Sequence, residues 1–121
     1  MPSLVVMLVE DHEDTLQMYS EYLQDAGIGV VENVTPETAF ERAVEVQPSV
    51  IVTDYRMAPV SGLELCRQLR AHPSMSQTPL IMLTGHTVAA DLELFRTVCN
   101  AVVVKPCAPD ELVKHILQVI K

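Results

Sequence analysis

Four short, unbroken apolar runs stand out along the chain, at residues 4–9, 50–52, 80–83 and 101–104. Their length suits strands, and their lack of polar alternation is the pattern of parallel strands covered on both faces. A fifth candidate, residues 28–34, mixes Val30 and Val31 with Gly29, Glu32 and Asn33, and its polarity places it at a sheet edge. Helical periodicity fills the intervals. Leu16, Tyr19 and Leu23 share one stripe in residues 13–26, with Gly27 as the stop. Thr35 and Pro36 open a second helix carrying Ala39, Phe40, Ala43 and Val44, which ends before Pro48. Residues 62–71 place Leu65 and Leu69 at i, i+4, and residues 87–98 align Val88, Leu92 and Phe95. Pro109 opens a last helix with Leu112, Ile116 and Ile120.

Strand and helix thus alternate five times, which predicts an α/β fold: a doubly wound five-stranded parallel sheet with right-handed crossovers. The order 2-1-3-4-5 fits this count, with a ligand crevice beyond the carboxyl ends of the first and third strands. The length of 121 residues is too short for a closed eight-fold barrel of about 250 residues. With no linker or repeat, residues 1–121 read as a single domain.

Composition narrows the function. Sixteen acidic against eight basic residues leave a net charge of −8, and Lys and Arg are scattered singly, so direct nucleic-acid binding is not expected. No apolar run reaches the roughly 20 residues of a membrane span, and the first residues lack the basic segment of a secretory signal. A soluble, cytoplasmic chain with no membrane partner is expected. Cys66, Cys99 and Cys107 show no metal or disulfide spacing and read as small hydrophobes in a reducing compartment.

The residues just beyond each strand carry the chemistry. Glu10 and Asp11 follow the first, Asp54 ends the third, Thr84 the fourth, and Lys105 follows the fifth. Three converging carboxylates repel one another unless a cation neutralises them. Magnesium takes such oxygen ligands, while an ammonium and a hydroxyl suit a phosphoryl group, whose transfer depends on positioning and charge neutralisation. An aspartate can then act as nucleophile and form an acyl phosphate.

The stretches Leu8-Val9-Glu10-Asp11-His12-Glu13-Asp14, Asp54-Tyr55-Arg56-Met57-Ala58-Pro59-Val60-Ser61-Gly62, Leu83-Thr84-Gly85 and Val104-Lys105-Pro106 together resemble the receiver domain of two-component response regulators. The resemblance spans the whole chain and implies the flavodoxin-like (CheY-like) (βα)5 fold. It implies that Asp54 accepts a phosphoryl group from a sensor histidine kinase or phosphotransfer histidine. Asp11, Asp54 and the main-chain carbonyl of Arg56 would bind Mg2+ directly, and Glu10 through water. Thr84 and Lys105 would each contact a phosphoryl oxygen. The bond before Pro106 would be cis, and Gly62 would let the chain turn into the third helix. The domain would then switch its surface for an effector or output domain, as a signalling module that assists its own phosphorylation and dephosphorylation rather than an enzyme acting on other molecules.

Several positions depart from the family pattern. Val102 stands where an aromatic residue commonly swings inward, which shifts the expected relay onto Thr84 and residues 85–87. Gly85 replaces the more usual alanine and loosens that loop. Pro59 falls one position later than is common. Arg56 and His86 sit where family side chains influence phosphoryl lifetime. The last helix has an apolar arc wider than one core face, and Val113 and Leu117 are its surplus, a candidate contact for a partner or for a homodimer through the fourth and fifth helices.

Two alternatives remain open, a phosphorylation-independent adaptor of receiver fold and an aspartate-nucleophile phosphatase. The phosphatase pattern, D-x-D after the first strand, is not matched by Glu10-Asp11. A flavin carrier is excluded, because an acidic pair after the first strand would repel the flavin phosphate. Whether the receiver stands alone or belongs to a larger regulator or hybrid kinase is also open.

Overall fold

Each continuous apolar run becomes a strand whose side chains feed both faces of one sheet. The computed structural model describes residues 4–33, 35–85 and 88–121. Five strands, β1 (Val5–Val9), β2 (Gly29–Asn33), β3 (Val50–Asp54), β4 (Leu80–Thr84) and β5 (Ala101–Val104), alternate with α1 (Glu13–Asp25), α2 (Pro36–Val46), α3 (Gly62–Ala71), α4 (Ala89–Val98) and α5 (Pro109–Val119). All neighbouring strands are parallel, in the order β2-β1-β3-β4-β5, as the periodicity predicts. Val34 and Thr87, the expected end of the second strand and start of the fourth helix, lie outside the described residues.

Because successive strand side chains point to opposite faces, each run splits between two apolar layers. Val6 and Leu8 of β1 pack with Leu16, Tyr19 and Leu23 of α1 and with Leu112 and Ile116 of α5. Met7 and Val9 join the other layer with Ala39 and Ala43 of α2, Leu65 and Leu69 of α3 and Phe95 of α4. A buried Leu or Phe contributes about 1.5–3 kcal/mol relative to exposure, so unbroken strands anchored from both faces hold their carboxyl ends firmly. Among the described residues, every buried side-chain nitrogen and oxygen has a hydrogen-bond partner.

The helix ends follow local chemistry. Gly27, at φ 85°, takes the left-handed conformation that ends the α1 region. Pro36 occupies the first turn of α2 after Thr35. A capping box starts α3: the Glu64 backbone N–H donates to Ser61 Oγ at 3.2 Å, and the Ser61 N–H donates to Glu64 Oε1 at 3.4 Å.

On α5, Val113, expected as surplus to the core, instead packs partly buried against the layer formed with α1. The apolar side chains left exposed around α5 are Leu117, 46% exposed, and Ile120, 39% exposed. A one-residue difference rotates a side chain about 100° around a helix, so the arc's edge is decided by the seating of α5 against the sheet.

Candidate functional site

The carboxyl ends of β1, β3, β4 and β5 carry the residues collected from the sequence. Asp54 is the last residue of β3 and pairs in register with Leu83 of β4, so Thr84 lies one step further along the neighbouring strand. Thr84 pairs in turn with Val104 of β5, and the Lys105 N–H donates to the Thr84 carbonyl at 2.8 Å. Backbone pairing thus holds Asp54, Thr84 and Lys105 side by side.

The acidic group forms as expected. One oxygen from each of Glu10, Asp11 and Asp54 can be chosen so that all three lie within 4.8 Å of one another. Glu10 is 7% and Asp54 8% exposed, while Asp11 faces solvent. Lys105 Nζ lies 2.7 Å from Asp54 Oδ1 and 3.8 Å from Glu10 Oε1. Burial pushes the Glu10 carboxyl above its ordinary range, and the charge of Asp54 adds to this. The His12 N–H and Lys105 pull it back, while Asp11 raises it further. One ammonium facing three carboxylates leaves a surplus of negative charge at a site whose donors are all hard oxygens. That donor set fits a hard divalent cation such as Mg2+, and the fit rests on Glu10, Asp11 and Asp54.

Arg56 lies in the loop after β3 and lines, with Asp11, Tyr55, Met57, Ala58 and Ser61, an open cavity of about 450 Å³ beside the acidic group. Its side chain is exposed. Met57 is buried, and Thr53 Oγ1 lies 4.0 Å from its sulfur. The bond before Pro106 is cis, as the resemblance implies, and Ala58-Pro59 is a second cis bond. His86, the other residue assigned an influence on phosphoryl lifetime, lies outside the described residues, as does Thr87 of the expected relay loop.

Gly62 opens α3, and the reason a glycine stands there is close approach rather than a left-handed φ: a Cβ would run into the backbone carbonyl oxygen of Asp54. The Gly62 N–H donates to the Tyr55 carbonyl at 2.9 Å. The start of α3 therefore lies directly against the backbone that carries Asp54, at a distance only glycine allows.

Three residues support the site through contacts that the sequence pattern does not assign them. His12 caps α1, accepting the Thr15 N–H on Nδ1 at 3.2 Å, and its own N–H holds Glu10 Oε2 at 3.2 Å. Tyr19, legible only as part of an apolar stripe, donates its buried hydroxyl to the Cys107 carbonyl at 2.7 Å and ties α1 to the segment after Lys105. Phe95 of α4 packs against Tyr55 with ring centroids 4.6 Å apart. An aromatic contact therefore joins the residue after Asp54 to α4, although Val102 lacks the family's usual ring. A further pairing, Cys66 with Cys99, was also invisible in the sequence: the two Sγ atoms lie 3.6 Å apart.

Comparison with known proteins agrees with this geometry. A family model for the response regulator receiver domain matches residues 6–117. The polar-differentiation response regulator DivK of Brucella ovis is 27% identical over 112 residues, covering 92% of this chain and 91% of the relative. The chemotaxis response regulator CheY4 of Vibrio cholerae superposes with a TM-score of 0.90 at 29% identity, covering 98% of this chain and 99% of that one. The receiver domain of sensor histidine kinase PA1611 from Pseudomonas aeruginosa, described with a magnesium ion coordinated in its active-site cleft, matches in fold with a TM-score of 0.88 at 23% identity. It covers 98% of each chain.

Proposed function

The chain belongs to the response regulator receiver domain family, and from that membership we propose how its own residues carry out phosphoryl transfer. It is a receiver of two-component signalling, a module that works with histidine kinases or phosphotransfer proteins and with effectors. The observation that carries the residue assignment is the convergence of the Glu10, Asp11 and Asp54 oxygens within 4.8 Å, with Lys105 Nζ 2.7 Å from Asp54.

Asp54 is the phosphoacceptor. Its carboxylate oxygen forms the new P–O bond as the P–N bond of a phosphohistidine breaks and the imidazole nitrogen takes up a proton. Asp11, Asp54 and the Arg56 main-chain carbonyl would hold Mg2+, with Glu10 acting through water, and the ion would supply neutralisation of charge on the entering phosphoryl group. Lys105, already paired with Asp54, shifts its ammonium toward a phosphoryl oxygen, and Thr84 donates its hydroxyl to another. These are positioning and electrostatic roles, the ones that a loose phosphoryl-transfer transition state rewards.

Residues 1–121 act here as one receiver unit, with the cytoplasm as the compartment this role requires. Surface changes pass to an effector or output domain. A second copy is proposed to dock on the α4 and α5 face, where Leu94 and Leu117 are exposed; sedimentation with and without a beryllofluoride mimic decides this, and a monomer in both states removes it.

Incubation with acetyl phosphate and Mg2+, followed by intact mass measurement, tests the assignment. One phosphoryl group per chain is expected, with none in Asp54→Asn. An unmodified mass under conditions that label a control receiver would refute the phosphoacceptor role and favour the adaptor reading. Steady turnover of a phosphomonoester would favour the phosphatase.

A further inference from the structure

Cys66 and Cys99 stand 33 positions apart in sequence, yet their Sγ atoms are 3.6 Å apart. Cys66 lies on the inner face of α3, fully buried, while Cys99 is the C-cap of α4 and keeps 7% exposure. Both belong to the layer containing Leu65, Leu69 and Phe95, so neither sulfur is free to wander. A disulfide needs sulfurs about 2.05 Å apart, and the remaining approach of about 1.5 Å is small enough for two side chains to share.

The surroundings distinguish the two thiols. Arg70 donates from Nε to the Val98 carbonyl at 2.9 Å and from a terminal nitrogen to Asn100 Oδ1 at 2.7 Å, so its guanidinium is bonded to the residues on either side of Cys99. The hydrogen bond with Cys66 and the Arg70 charge lower the Cys99 thiol against the opposing effect of burial. The hydrogen bond with Cys99, together with burial, pushes Cys66 well above the ordinary thiol range, although the Arg70 charge pulls on it too. A cation beside the less buried of two touching thiols is the environment of an attacking cysteine. Cys107 belongs to the apolar layer on the other face of the sheet.

We propose that Cys66 and Cys99 are a peroxide-responsive dithiol, a modification site that closes reversibly into a disulfide linking α3 to the end of α4. The Cys99 thiol gives up its proton, the thiolate attacks one oxygen of hydrogen peroxide, the O–O bond breaks, and Cys99 becomes a sulfenic acid as the leaving hydroxide takes up one proton to become water. The Cys66 sulfur then displaces the hydroxyl from Cys99, which departs as a second water with the Cys66 proton. Two thiols and one peroxide give one disulfide and two waters, and a thiol reductant reverses the exchange. The bond fixes the C-cap of α4 to α3, one helical turn beyond Phe95, the residue that touches Tyr55 next to Asp54.

The test uses the reduced full chain, treated with hydrogen peroxide, alkylated under denaturing conditions and read by intact mass and peptide mapping. Two of the three cysteines are expected to become resistant to alkylation, with a Cys66–Cys99 cross-linked peptide that dithiothreitol removes. Cys107→Ser is expected to keep this cross-link, and Cys66→Ser or Cys99→Ser to lose it. Mapping the unmodified chain carries the test even if a variant fails to fold. Three alkylated thiols after treatment, a cross-link through Cys107, or Cys99 held as sulfinic acid beside an alkylated Cys66 would each overturn the proposal. The readout requires no phosphorylation, so its failure leaves the receiver assignment untouched.

Discussion

Lys105 Nζ and Asp54 Oδ1 lie 2.7 Å apart, joining the segment after β5 to the last residue of β3. The pair faces two further carboxylates, so it is one half of an unbalanced charge group. The Lys105 side chain is 32% exposed, which screens part of its effect. Lys105→Ala is expected to destabilise the metal-free chain by about 1–2 kcal/mol, below the 3–5 kcal/mol typical of breaking a fully buried pair. Urea unfolding with and without Mg2+ checks this. Mg2+ should recover part of the loss, and equal losses in both conditions would count against the shared charge group.

Glu10 supplies a pH dependence. Its carboxyl is raised from 4.5 by burial first and by Asp54 second, so between the unfolded and folded values the native state binds the extra proton. Stability of the metal-free chain therefore falls as pH rises through that window above 4.5. Glu10→Gln is expected to flatten this dependence in urea titrations across the acid range and to raise metal-free stability at neutral pH. Asp11→Asn is expected to weaken Mg2+ binding at least tenfold, the order of one lost charged ligand worth about 1.4 kcal/mol or more. Titration with Mg2+ reads it directly, and unchanged affinity would move the metal elsewhere.

Tyr19 predicts behaviour at the alkaline end. Its hydroxyl is buried, which raises its pKa above 10.0, and it donates to the Cys107 carbonyl. The unfolded chain loses this proton first, so the stabilisation is complete below pH 10.0 and is lost as pH rises through the folded value. Tyr19→Phe is expected to cost about 1 kcal/mol at neutral pH and to remove this alkaline component, as measured by denaturant unfolding at a series of pH values.

The two glycines near the site should respond oppositely. Gly62→Ala forces a Cβ onto the Asp54 carbonyl, a backbone atom that can yield only by moving β3 or α3. A loss of about 1–3 kcal/mol is expected, together with slower labelling by acetyl phosphate. Among the described residues, a Cβ on Gly85 meets nothing within 4 Å, and its φ is not left-handed. Gly85→Ala is expected to stabilise by about 0.4–1 kcal/mol, through reduced freedom of the unfolded chain. Thermal unfolding distinguishes the two, and a well-tolerated Gly62→Ala would contradict the close approach.

The sheet was legible because strand and helix periods are local properties: unbroken runs such as Val50–Asp54 state their own burial, and alternation with amphipathic helices leaves few topologies. The grouping of the candidate site residues was legible for the same reason. Glu10, Asp11, Asp54, Thr84 and Lys105 each end a strand or follow one, and a parallel sheet gathers such ends at one edge. Contacts between side chains distant in sequence carry no periodic signal. The Tyr19 bond to Cys107, the Tyr55 contact with Phe95, the Gly62 approach to Asp54 and the meeting of Cys66 with Cys99 depend on how each helix is rotated and seated. A shift of about one residue, or 100° around a helix, would undo any of them. The chain's pattern alone determined its layers, its strand order and which residues meet at the acidic edge. Packing decided what supports that edge, which side of α5 stays exposed, and that two unremarkable cysteines touch.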